Sequence, residues 1–115
     1  MSLPQPDMFG LTQPVGMRDL SIQDRFNEFH RLNPHVYDAI RDLAMLMVRR
    51  GRKKIGIKML IEILRWNYFM QTDDPTCEFK ISNDYTSRYA RLLMKQEPKL
   101  DGLFQINQLR ETLAE

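Results

Sequence analysis

Pro34, Gly51 and Pro98 cut the chain into apolar segments of helical period, and this punctuation constrains the fold more than any other feature. Proline lacks the amide hydrogen that a helix interior needs and pushes the residue before it out of the helical region, whereas glycine takes up the left-handed conformation that ends helices. Ile22, Phe26 and Phe29 recur at helical spacing behind Ser21, which forms a weakened capping box with Asp24. This helix, over 21–32, stops at Asn33. Pro34 suits a first helical turn, so a second helix is predicted over 34–50, with Val36, Ile40, Leu43, Ala44 and Met47 on one face and Gly51 as its stop. A third, over 56–71, sets Ile57, Leu60, Ile61, Leu64 and Tyr68 on one side, while Met59, Ile63 and Trp66 widen the apolar arc. A helix of that kind is expected to be central and largely buried.

The last helix has the clearest ends. In the stretch 81–98, Ser82 or Asn83 can accept a hydrogen bond from the free amides of the first turn, Asp84 suits the positive end of the helix dipole, and Pro98 closes the segment. A helix over 83–97 follows. Tyr85, Tyr89, Leu92 and Leu93 are assigned to its core side, and Asp84, Ser87, Arg88, Arg91 and Lys95 to the opposite, largely cationic side. Tyr85, Tyr89, Leu92, Leu60, Leu64 and Ile40 are expected to share one core. Residues 78–81 alternate like a short strand, and Asp101-Gly102 forms a tight turn before an apolar run at 103–108, which predicts a two-stranded ribbon.

A mostly helical single domain with a short β-hairpin, in this order of elements, is the plan of a winged helix-turn-helix protein, whose last helix enters the DNA major groove. Residues 1–20 carry Pro4, Pro6, Pro14, Gly10 and Gly16 without sustained periodicity and are expected to form a flexible N-terminal arm; residues 21–115 form the winged-helix-like domain. The single Cys77 excludes an internal disulfide and fits a reducing compartment. The apolar runs are too short to cross a bilayer and no leader pattern opens the chain, so a soluble cytoplasmic protein is expected, without a membrane partner.

The formal charge of +2 names no partner, but its distribution does. Arg49, Arg50, Arg52, Lys53, Lys54 and Lys58 crowd between two predicted helices with no acidic residue among them. Such a loop attracts phosphates and releases their counterions. Arg49, Arg50, Arg52, Lys53 and Lys54, together with Ser87, Arg88, Arg91 and Lys95, form the candidate nucleic-acid-binding set, with duplex DNA as the expected partner. The same charges would also serve as an ordinary solvated surface. Enzymatic chemistry has no comparable support: His30 and His35 lack further ligands at metal spacing, Asp73 and Asp74 suit turn geometry, and no phosphate loop or nucleophile motif occurs. No cofactor or catalytic residue is implied. The alternative is a protein-interaction module, in which surplus Met and aromatic side chains of "YDAIRDLAMLMVRR" and "MLIEILRWNYFM" dock a host protein or a second copy.

The segments "FNEFHRLNPHVY", "GRKKIGIKMLIEILRW" and "FKISNDYTSRYARLLMKQEPKLDGLFQ" resemble a family of small uncharacterised proteins encoded by bacteriophages and prophages. The likeness lies in an F-x-x-F-H-x-x-N-P start and an N-x-Y-x-S-R-Y-A-R segment, and covers most of the chain after residue 21. It implies a phage or prophage origin, a compact helical domain with a short hairpin, the cytoplasm of a bacterial host, and a regulatory or DNA-metabolism accessory role. It brings no catalytic residues with it.

Overall fold

The computed structural model describes residues 10–16, 19–76 and 78–105. Four α-helices carry the fold: α1 (Ile22–Leu32), α2 (Pro34–Arg49), α3 (Ile57–Gln71) and α4 (Asn83–Gln96), followed by a 3-10 turn, Pro98–Leu100. Their ends follow from local chemistry. Ser21 Oγ accepts from the Asp24 amide at 3.0 Å, and Ser82 Oγ accepts from the Asp84 amide at 3.1 Å, so each hydroxyl satisfies a donor that a helix leaves free. Pro34 occupies the first turn of α2, and Gly51 follows that helix at φ 90°, where a side chain would be strained.

The most deeply buried helix is α4, not α3. It packs against α1, α2, α3 and the 3-10 turn, and buries Tyr89, Ala90 and Leu93 completely. Phe26 and Phe29 of α1, Val36, Ile40 and Ala44 of α2, and Ile57, Leu60 and Ile61 of α3 close around it, and Leu100, Leu103 and Phe104 seal the far end. Of the expected core residues, Tyr89, Leu60 and Ile40 are buried, whereas Tyr85, Leu64 and Leu92 pack against the core half-buried. Aromatic rings fill the α1–α4 seam: Phe26 meets Tyr89 edge-on at 4.8 Å and Tyr85 lies 5.0 Å from Phe29. The expectation of a buried third helix fails because only one side of α3 faces this core. Met59, Trp66, Phe69 and Met70 remain exposed.

The expected ribbon is not formed among the described residues. Residues 78–82 do alternate, with Phe79 and Ile81 buried and their neighbours exposed, but the side chains insert among helices and no strand lies alongside. The apolar run after Gly102 turns elsewhere: Phe104 forms an isolated parallel bridge with Ile55, and the Ile55 amide donates to Leu103 O at 3.0 Å. Residues 106–108 of the expected second strand lie outside the described residues.

Part of the expected arm is held in place. Asn33, fully buried between α1 and α2, accepts from the Thr12 amide at 2.7 Å and donates through Nδ2 to Thr12 O and to Phe29 O, each at 2.8 Å. His35 Nε2 lies 2.6 Å from Gly10 O, and Leu11 packs on the core. Residues 10–12 are therefore fastened to the α1–α2 junction by side chains that a local reading of 1–20 could not reveal. No helix among the described residues is long and apolar enough to cross a membrane.

Candidate nucleic-acid interface

The loop between α2 and α3 is shaped by its backbone before its charges matter. The amides of Arg50, Gly51 and Arg52 return to the last carbonyls of α2, with Arg52 N donating to Met47 O at 3.0 Å. This reversal turns the side chains outward, while Ile55 is drawn back toward Leu103 and Phe104. Arg49, Arg50, Arg52, Lys53, Lys54 and Lys58 are all exposed.

Among the described residues no carboxylate forms an ion pair with the loop. The ion pairs among the described residues join Arg31 to Glu28, Arg41 to Asp38 and Asp42, and Arg65 to Glu62, and none includes a loop cation. The loop therefore projects a positive field that no carboxylate of the described residues offsets from ion-pair distance.

Lys54 Nζ donates to Gly102 O at 3.0 Å, which ties the loop to the turn just beyond the 3-10 segment. Lys99 lies on that segment and Lys95 on the last turn of α4, both exposed. Loop, 3-10 segment and the C-terminal end of α4 thus adjoin. Lys99 belongs to this surface although it lies past Pro98. Gly102 at φ 78° makes the turn that Lys54 meets.

The rest of α4 does not extend the basic surface as expected. Arg88 is only 6% exposed; its Nε donates to Gln23 Oε1 at 3.0 Å and its Nη1 to Asp84 O at 3.3 Å. Arg88 lies roughly 60° from Tyr85 and 40° from Leu92 around the helix, so its stem enters the seam with α1 instead of facing solvent. Ser87 is half-buried with its hydroxyl donating to Asp84 O at 3.3 Å, and Arg91 is half-buried. Of the four α4 residues assigned to DNA, Lys95 alone is fully on the outside.

The residues weighed for catalysis have structural employment. His30 stacks on Phe26 at 6.1 Å and lies 5.2 Å from the Tyr37 ring, and burial lowers its pKa below the usual imidazole range. Asp74 Oδ1 accepts from the amide and hydroxyl of Thr76, closing a turn. A cleft of 360 Å³ between α2 and α3 is lined by His35, Asp38, Asp42, Tyr68 and Phe79, with both carboxylates also engaged by Arg41. Among the described residues no three His, Cys, Asp or Glu side chains gather as metal ligands would. Comparisons with known protein families, curated proteins and solved structures gave no match.

Proposed function

We propose that this chain binds nucleic acid through the phosphate backbone, using the α2–α3 loop and the adjoining end of α4, as a phage- or prophage-encoded accessory of DNA regulation or metabolism. The observation that carries the reading is the exposed, acid-free cluster Arg49, Arg50, Arg52, Lys53 and Lys54. Cations held clear of carboxylates keep their full attraction for phosphate, and each contact releases condensed counterions. The order α2, α3, α4, with Ile55 bridged to Phe104, supports a winged-helix-like arrangement in which the segment after Gly102 lies beside the loop where a wing would stand. The withdrawal of Arg88 favours contacts that position the protein on the backbone over contacts that read bases.

The test is substitution within the loop, measured by fluorescence anisotropy on duplexes of several sequences. Arg52→Ala with Lys53→Ala should weaken binding to every duplex alike and reduce the steepness of the salt dependence by roughly one unit per lost phosphate contact. Arg41→Ala is the control, because Asp38 and Asp42 already neutralise that cation. Equal affinity for wild type and the loop variant would remove the loop from the interface.

A further inference from the structure

Every side of α3 carries apolar residues, but among the described residues only one side is covered. Ile57, Leu60 and Ile61 are buried in the core, while Met59 (46% exposed), Trp66 (64%) and Met70 (66%) lie on the opposite side with half-buried Ile63 between them and Phe69 (45%) at the edge. Residues 59, 63, 66 and 70 fall within roughly 60° of one another around the helix, a continuous stripe along its length. We propose that this stripe is the interface of an antiparallel homodimer in which α3 pairs with α3 of a second copy.

The spacing of the stripe and the position of the basic loop select that occupant. The spacing along the stripe is four, three, four, which reads the same in both directions. An antiparallel two-fold pairing sets Met59 of one copy against Met70 of the other, and Ile63 against Trp66, so the surface complements itself. Glu62, exposed at the border of the stripe, is paired within its own helix with half-buried Arg65 at 3.5 Å, so the border carries no unpaired acid to oppose a second copy. The basic loop immediately precedes α3. A parallel pair would press two such loops together, whereas the antiparallel pair separates them by the helix length, about 22 Å for 15 residues and well beyond the roughly 8 Å screening length at physiological salt.

The area is sufficient. The exposed parts of the four large side chains come to on the order of 500 Å² per copy and on the order of 1,000 Å² per pair, the lower bound for a specific interface. An affinity in the micromolar range is expected, with no change of fold on pairing.

The full chain tests this by sedimentation equilibrium from about 1 µM to about 1 mM, with the emission of Trp66, its single tryptophan, read across the same series. The expected result is a shift from 13.7 kDa to twice that mass with a concurrent blue shift, both abolished by Met70→Glu while the circular dichroism spectrum is retained. Orientation is read in a Cys77→Ser background by oxidising a mixture of Met59→Cys and Met70→Cys copies. The mixed cross-link should form faster than either like pair. A monomer at every concentration overturns the proposal, whether Trp66 is exposed or is shielded by the chain's own termini, and preference for like pairs overturns the antiparallel arrangement. DNA binding does not enter these readouts, so either result leaves the basic loop to its own test.

Discussion

The side-chain amide of Asn33 pairs with both backbone groups of Thr12, accepting at 2.7 Å and donating at 2.8 Å, and so fastens a segment 21 residues away to the junction of two helices. A third bond, to Phe29 O, caps the end of α1 from the same amide. Asn33→Ala should therefore cost about 1–3 kcal/mol, the range for leaving buried polar groups unpaired, and should release the Thr12 amide to fast hydrogen exchange. Urea unfolding and exchange mass spectrometry check the two parts. Unchanged protection at Thr12 would mean that other contacts hold the segment.

Arg88 is expected to matter for stability and not for reading sequence. Its guanidinium joins α4 to Gln23 of α1 and returns to the carbonyl of Asp84. Hydrogen bonds from charged groups contribute about 1.5–3 kcal/mol, so Arg88→Ala should lower the urea midpoint by a corresponding amount while leaving the ranking of DNA sequences unchanged. A changed ranking with unchanged stability would return Arg88 to the interface.

His30 predicts a dependence of stability on pH. Burial among Phe26, Tyr37 and Tyr89 disfavours the imidazolium and lowers the folded pKa, with Asp38 opposing the shift more weakly. The unfolded chain therefore binds the proton more readily than the folded one. The contribution is fully present above the unfolded value of about 6.5 and is lost as pH falls through it toward the lower folded value. Thermal unfolding at pH 7.5 and pH 5.5 should show a loss at the lower pH that His30→Gln reduces.

Helix positions were legible because their ends rest on local chemistry: the hydroxyls of Ser21 and Ser82, the first-turn Pro34 and the left-handed Gly51 act on neighbours within a few residues. The sides of the helices were less legible. Apolar residues all around α3 could be buried or left for another surface, and only its packing on α2 and α4 decided between them. Arg88 was misplaced because a charge was assumed to mark the solvent side, although its angular position borders Tyr85 and its long stem can lie in a seam. The alternation at 78–82 was real, but a strand also needs a partner, and here Phe79 and Ile81 found helices instead. The basic loop was recoverable from composition alone, whereas its contact with Gly102 joins residues 48 apart and leaves no local trace.

The most direct measurement of backbone binding is the affinity of the wild-type chain for a mixed-sequence duplex across a salt series from about 50 to about 200 mM. If the loop and the end of α4 grip phosphates, the logarithm of the binding constant should fall linearly with the logarithm of salt, by roughly 0.9 for each phosphate contacted and about 3–5 in total. Duplexes of different sequence should give nearly the same line. Absence of binding at about 50 mM, or binding indifferent to salt, would contradict a phosphate-binding role for this surface.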